Sequence, residues 1–425
     1  MQKTDRLGPG RIALFSLPLL LFQAIGVAWR IYLPAFMVGT IGLSLGAAGA
    51  VIMIVRILDA AVEPLVGWIS DNAKGVLGRR KPWMILGAPF VAAGALGLCL
   101  APPGTGFGVA LAGSLALNLG YTLITNPYGA WGLELGRDSQ ERAAVAGARI
   151  WFASAGMILV LFSMAVLERR FGFGQTATVA ALGLAIALIT PVSVGLVMAL
   201  FAELPTARMT PPDVPALLRD MLGNRGLMVT LALYGLAGVS DAASMASFLF
   251  YVENVLGLSG WGAGLMLAPT GVLLAALPAW AWLNRRIGRS RTMMSAYALD
   301  ILIAPLVFLA PAHNPLLLLP VLVLKSVPSG VDYMLLLSLF AEETAKDSKA
   351  GQRRAGIYQG ITHVTLKLAM GAGAAGALWV IGLTDFDAGE PLSASAELAI
   401  RLAYAAPPAI VGVIGLLIWR RGLIR

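Results

Sequence analysis

The sequence has few charged residues, one cysteine and two histidines. Only 12% of its 425 residues are charged, against roughly 25% in an ordinary soluble chain, and 58% are hydrophobic. Most of the chain therefore does not face water, and a soluble globular protein is excluded. Cys99 lies alone in an apolar run, which predicts neither a disulfide framework nor a cysteine metal site. His313 and His363 are too few for a histidine-rich metal centre.

Several sequence motifs are also missing. The sequence contains no nucleophile elbow, P-loop or metal-ligand set, so it predicts neither an enzyme nor ATP-driven transport, and no cofactor is expected. Residues 1–11 lead directly into an apolar run without a small-residue cleavage site, so we expect no cleavable signal peptide.

Long apolar runs recur along the whole chain, and each can cross about 30 Å of hydrocarbon as a helix. We predict an all-α membrane protein with twelve transmembrane helices in two six-helix halves. The halves are residues 1–202 and 226–425, and a polar cytoplasmic loop at 203–225 joins them. The predicted spans are 12–38, 45–70, 83–101, 107–134, 143–167, 175–202, 226–252, 260–283, 292–311, 316–341, 355–383 and 399–419.

The net charge of +9 reflects topology and not a nucleic-acid partner. Lys and Arg are concentrated in alternate loops, whereas the other loops hold only Arg169, Arg170 and Arg401. This bias is typical of loops that stay in the cytoplasm. It predicts a bacterial inner-membrane protein with both termini cytoplasmic.

The second predicted span contains three ionisable residues. Arg56, Asp59 and Glu63 are spaced so that they share one helix face, and Pro64 follows them. Two carboxylates one turn apart repel when both are ionised, which favours binding of a proton or another cation. The alternative is an inward ion pair of Arg56 with Asp59 that only braces the bundle.

The fourth span combines polar and aromatic side chains around Pro127. Such a mixture suits a sugar, whose hydroxyls need hydrogen bonds and whose ring stacks on aromatic faces. The alternative is that the polar groups bond backbone released by the proline. The candidates are Thr122, Thr125, Asn126, Tyr128 and Trp131.

Further polar residues lie within other spans, where a charge is costly and therefore a functional candidate. Gln23 in the first span and Arg149 in the fifth are candidates for substrate binding, although Gln23 could equally bond a neighbouring helix and Arg149 could reach the interface. In the second half, His363 and Lys367 share a face and are also candidates for substrate binding, and either Asp241 or Asp332 could balance Lys367. Asp300 and Lys325 also lie within predicted spans.

The loop after the second span is basic. Asp71 with Arg79 and Arg80 could form an inner gate by pairing with carboxylates at neighbouring helix ends, such as Glu134. The alternative is that these charges only determine topology.

Three segments carry a resemblance to a known family. Residues 56–83, 126–156 and 340–376 resemble the glycoside–pentoside–hexuronide:cation symporters, the melibiose permease family of the major facilitator superfamily. The resemblance implies the two-half major facilitator fold. It also implies that Asp59 and Glu63 are the cation-site carboxylates, with Thr122 as a hydroxyl ligand, and that Arg149 and Lys367 are cavity cations.

The chain also departs from that family. Its sodium-using members have Asp at the place of Glu63 and an Asn ligand at the place of Val62, so the resemblance favours protons over sodium here. The acids that grip galactosides are replaced by Gln23 and Thr125, and the stacking Trp by Gly129. We therefore expect a solute other than a galactoside bound in the family manner.

These observations predict a proton- or sodium-coupled symporter of a sugar, glycoside or uronide that works by alternating access. One alternative is a related carrier of a lysolipid or amphipathic compound, and another is a sensor that kept the fold without transport. The expected partners are a small-molecule solute and membrane lipid. No nucleic acid and no obligatory protein partner are expected.

Overall fold

The computed structural model describes residues 8–73, 77–136, 138–203, 222–346, 351–387 and 391–420. Twelve helical spans in these residues are long and apolar enough to cross a membrane. The prediction of a twelve-helix membrane protein is therefore confirmed. The spans are α1 (Pro9–Gly39), α2 (Leu45–Asn72), α3 (Lys81–Cys99), α4 (Phe107–Gly132), α5 (Gln140–Arg170), α6 (Gln175–Leu200), α7 (Arg225–Val255), α8 (Gly262–Ile287), α9 (Arg289–Leu309), α10 (Pro315–Phe340), α11 (Gly360–Gly382) and α12 (Ala394–Trp419).

The observed helix ends differ from the predicted ones by a few residues. For example, α12 begins at Ala394 and not at 399. Its first turn contains Glu397, which accepts a 2.9 Å hydrogen bond from Arg401 one turn later. This pair supports a polar first turn that the hydrophobic pattern does not reveal. Most of the predicted middle loop, 204–221, lies outside the described residues.

One span, α10, is broken. Its first segment is Pro315–Ser326 and its second begins at Val331. Between them, Pro328 has no N–H to donate, and Gly330 has a φ of 83°, which non-glycine residues rarely adopt. The break therefore places two helix ends inside a single span.

The chain folds into two compact units. The first unit comprises Met1–Gly42 with Ala61–Thr210, and the second comprises Leu43–Ala60 with Pro211–Arg425. The boundary passes through α2, because the first part of this helix groups with the second unit. Asp59 therefore belongs to the second unit and Glu63 to the first.

In the first unit, α3 packs against α4 and α6, and α1 packs against α5 and α6. Glycines allow the α3–α4 approach. A Cβ added at Gly87 would lie 2.7 Å from the backbone oxygen of Gly120, and one at Gly94 would overlap the backbone of Leu117. Close packing through small residues is the usual way in which helices associate within lipid.

In the second unit, α7 packs against α11, α12 and the second segment of α10, and α9 packs against α12. The core between them includes Leu233, Tyr297, Leu336 and Trp419. The first part of α2 joins this unit through α11, where the Trp379 indole donates a 3.0 Å hydrogen bond to the backbone oxygen of Gly46.

Candidate functional site

The second unit holds a carboxylate between two basic side chains. Asp59 on α2 is only 6% exposed. Its Oδ2 lies 2.7 Å from Lys367 Nζ on α11 and 3.8 Å from Arg56 Nη1 on its own helix. A buried carboxylate is tolerated in such a place because neighbouring positive charges replace its lost hydration.

A glycine on α11 allows this pairing. Gly371 lies one turn after Lys367, and a Cβ added there would lie 2.7 Å from Arg56 Cβ. Since α2 and α11 approach closely at this glycine, the Lys367 ammonium reaches Asp59 directly.

The observed partner of Lys367 differs from the candidates that the sequence suggested. We expected Asp241 or Asp332 to balance Lys367, whereas the structure pairs it with Asp59 at 2.7 Å. The bracing pair of Arg56 with Asp59 is also present, at the longer distance of 3.8 Å. His363 lies on α11 one turn before Lys367, as predicted from their spacing, and its side chain is exposed.

In the first unit, α2 contacts the polar part of α4. The Asn126 side-chain amide donates a 3.2 Å hydrogen bond to the backbone oxygen of Glu63. Thr122 lies one turn before Asn126 and is 1% exposed. Glu63 is half-buried. Asn126 of α4 is therefore in direct contact with α2 at the backbone of Glu63.

Arg149 on α5 also contacts α4. Its Nη1 donates a 3.0 Å hydrogen bond to the backbone oxygen of Gly129, and its guanidinium lies 5.2 Å from the centre of the Tyr128 ring. Within the described part of the chain, Arg149 forms no ion pair, and its buried Nε has no hydrogen-bond partner. Gly132 leaves space for the side chain, because a Cβ there would lie 2.7 Å from Nη1.

Two predicted stacking residues are packed inside the first unit. Tyr128 and Trp131 are each 1% exposed, and both contact Phe15 of α1. The Tyr128 hydroxyl donates a hydrogen bond to the Phe15 backbone oxygen. Their ring faces and this hydroxyl are therefore engaged in packing.

Two further candidates differ in their surroundings. The Thr125 hydroxyl donates a 2.8 Å hydrogen bond to the backbone oxygen of Tyr121, four residues earlier. This is the local alternative that the sequence left open. Gln23 is half-buried on α1. The roles of both residues in substrate binding remain predictions.

The predicted cytoplasmic charges form a cluster in the first unit. Arg80 Nη2 lies 2.9 Å from Asp71 and 2.6 Å from Glu134, and Arg79 Nη2 also lies 2.6 Å from Glu134. Arg80 is only 2% exposed. Glu203 was not predicted to take part, yet it accepts hydrogen bonds from the backbone N–H groups of Arg79, Arg80 and Lys81. This carboxylate stabilises the unsatisfied N–H groups at the start of α3, but it follows α6 far later in the chain, so the local sequence gives no signal for the pairing.

Twelve apolar spans with ionisable groups buried among them define a multi-pass membrane transport protein. Residues 14–423 match the family described as MFS/sugar transport protein. The chain therefore belongs to this family of major facilitator transporters.

Curated relatives have limited identity or limited coverage. YnaJ of Bacillus subtilis, an uncharacterized symporter, is 36% identical over 32% of this chain and 30% of its own length. A glucuronide carrier protein homolog of Escherichia coli is 22% identical over 89% of this chain and 84% of its own length. The chain thus spans less than a third of the first relative and most of the second.

Solved structures support the fold alone. The nucleoside transporter NupG is similar with a TM-score of 0.68 at 14% identity, over 96% of this chain and 98% of that one. The predicted major facilitator fold is therefore confirmed.

Proposed function

We propose that this protein is a proton-coupled symporter of a sugar, glycoside or uronide, located in a bacterial inner membrane with both termini cytoplasmic. The Asp59–Lys367 pair of 2.7 Å is the observation that carries the proposal. It joins a carboxylate that can bind a proton to an ammonium group that can donate a hydrogen bond to a substrate oxygen. The names of the relatives, a symporter and a glucuronide carrier homolog, support the same class.

The pair provides a physical route for coupling. When a proton neutralises Asp59, Lys367 loses its strongest partner and becomes available to an oxygen of the solute. By linkage, protonation then raises solute affinity and the solute raises proton affinity by the same factor. Glu63, one turn further along α2, is proposed as a second proton-binding carboxylate, and within the first unit Thr122 on α4 is its proposed hydroxyl ligand.

A proton suits this site better than sodium. A hard metal cation requires several oxygen ligands at once. Val62 provides no side-chain oxygen, and the Asp59 carboxylate already lies 2.7 Å from an ammonium group. A proton needs only one carboxylate oxygen.

Arg149 favours an anionic solute such as a uronide. Its guanidinium has no carboxylate partner among the described residues. A half-buried guanidinium without a counter-ion binds a carboxylate strongly and in a defined orientation. We therefore rank uronides first among the sugar-like candidates.

A second candidate function is the carriage of a lysolipid or another amphipathic compound. It is favoured because Tyr128, Trp131 and the Thr125 hydroxyl are engaged in packing or local hydrogen bonds. These groups are the ones that a sugar would require. Binding of both solute classes to the purified protein, compared side by side, separates the two functions.

The proposal is tested with proteoliposomes containing the full-length protein. Labelled glycosides, uronides and lysolipids are screened for uptake driven by an inward proton gradient. Each transported solute is then added without a gradient while the external pH is recorded. We expect a uronide or glycoside to alkalinise the medium as it enters, and Glu63→Gln to abolish this signal.

Asp385→Asn is the matched control, because Asp385 is a carboxylate outside the spans. It should alkalinise the medium as the unchanged protein does. Sodium-dependent uptake without any pH change would contradict proton coupling. Transport of lysolipids alone would replace the sugar assignment by the second candidate.

A further inference from the structure

The break in α10 lies within a second cluster of charged residues, which the function proposed above does not use. Lys325 lies in the last turn before the break, and Asp332 lies in the first turn after it. The end of one helix segment favours the positive charge and the start of the next favours the negative charge. Asp300 on α9 interacts electrostatically with both.

A buried tyrosine faces this cluster. Tyr297 on α9 is 0% exposed, and its hydroxyl interacts with the Asp332 carboxylate. Within the described residues, neither Tyr297 Oη nor Asp332 Oδ1 has a hydrogen-bond partner. The ring is held in place by α12, because a Cβ added at Gly415 would overlap it.

In the part of the chain that the structure describes, Lys325 is the cation that interacts with these acids. Lys325 interacts with Asp300 and with Asp241 on α7, and Asp332 adds a further negative charge beside Asp300. Its Nζ lies 3.2 Å from Ser244 Oγ and 4.3 Å from the centre of the Tyr404 ring on α12. Among the described residues, the groups that interact with Asp300 or Asp332 are thus Tyr297 and Lys325, and Lys325 in turn interacts with Asp241 and the Tyr404 ring.

We infer that the second unit carries its own proton-binding site, formed by Asp300 and Asp332 with the Tyr297 hydroxyl between α9 and α10. Asp300 and Asp332 interact with each other inside membrane spans, with the Lys325 ammonium beside Asp300, and they cannot both remain ionised without a large cost in unscreened repulsion. A retained proton on Asp300 or Asp332 removes one negative charge. It also lets the protonated carboxyl donate a hydrogen bond that two ionised acids lack.

This site is distinct from the carboxylates of α2, and it gives the transporter a second titratable centre on different helices. The ligand is a proton and not a metal ion. Among the residues that the structure describes, no group of three or more His, Cys, Asp or Glu side chains could hold a metal ion.

The test uses infrared spectroscopy of the full-length protein in lipid while the pH is changed, with no solute present. Labelling the aspartate side-chain carboxyl with ¹³C separates the carbonyl stretch of protonated aspartic acid from that of glutamic acid. We expect a labelled band at neutral pH that disappears as the pH rises. It should persist in Asp59→Asn/Glu63→Gln and be lost in Asp300→Asn/Asp332→Asn.

Tyr297→Phe provides a milder variant that keeps both carboxylates. Because the hydroxyl can stabilise the ionised Asp332, its removal should move the disappearance of the band to higher pH. Absence of the labelled band at neutral pH in the unchanged protein would overturn the inference, and so would its survival in Asp300→Asn/Asp332→Asn. If this double variant does not fold, the unchanged protein and Tyr297→Phe decide the question, and a Tyr297→Phe titration identical to that of the unchanged protein contradicts the site.

Discussion

Replacing Lys367 by methionine tests whether the buried acid of α2 depends on α11. The substitution keeps a side chain of similar length but removes the charge 2.7 Å from Asp59 Oδ2. Asp59 then retains the Arg56 guanidinium, whose Nη1 is 3.8 Å away. The carboxylate is left with a weaker and more distant counter-charge in a place where its side chain is only 2% exposed.

The contacts of Asp59 determine how much unfolding free energy each substitution should remove. Removing one partner of a buried ion pair typically destabilises a protein by about 3–5 kcal/mol. We expect the lower end, about 3 kcal/mol, because Arg56 remains close to Asp59. Asp59→Asn should cost less, about 1–2 kcal/mol, since the Lys367 side chain is 23% exposed and can move towards water. In the double variant the unpaired charge is gone, so we expect a cost close to that of Asp59→Asn alone.

The assay is unfolding of the purified protein in detergent, followed by tryptophan fluorescence, with Asp385→Asn as the control. Additive losses in the double variant would refute the reasoning, because residues in direct contact are expected to show a coupling energy of about 0.5–3 kcal/mol.

Three further substitutions test the helix packing and the cluster of Arg79, Arg80 and Glu134. Gly371→Leu should separate α11 from α2, lower the free energy of unfolding by about 1–3 kcal/mol and abolish solute accumulation. Gly376→Leu, with no neighbour within 4 Å, should have none of these effects. Gly94→Leu should overpack α3 against α4 and lower the free energy of unfolding by about 3 kcal/mol or more. The yield of folded protein in size-exclusion chromatography should fall, with Gly97→Leu as the matched control. Glu134→Gln leaves two arginines with less negative charge and should lower the unfolding midpoint by an amount equivalent to about 2 kcal/mol; an unchanged midpoint would show that the cluster does not stabilise the protein.

The spans were predictable because a membrane imposes a length and a composition on every helix that crosses it. The break in α10 was not predicted, although Pro328 and Gly330 mark it in the sequence. An apolar run hides such a break, since hydropathy does not record backbone geometry.

The partners of the buried charges could be predicted only where they lie close in the chain or at a recognisable helix end. The Arg56–Asp59 pair follows from helical spacing, and Glu134 was named as a partner for the basic loop from its position at a helix end. Lys367 was assigned to the acids of its own half, because nothing in the sequence indicates that the first part of α2 packs with α11. That pairing depends on tertiary contacts between distant segments.

The side chains of α4 illustrate a second limit. Polar and aromatic residues within a span have the same composition whether they line a substrate site or pack a helix interface. Tyr128 and Trp131 are packed against Phe15, which depends on how α1 lies against α4 and not on the local pattern.

The most direct test of the account is solute accumulation by Asp59→Asn/Glu63→Gln in proteoliposomes with an imposed proton gradient. If acids on α2 couple proton entry to solute entry, the double variant will equilibrate the solute but will not concentrate it. Concentration of the solute to the level reached by Asp385→Asn would contradict the coupling mechanism.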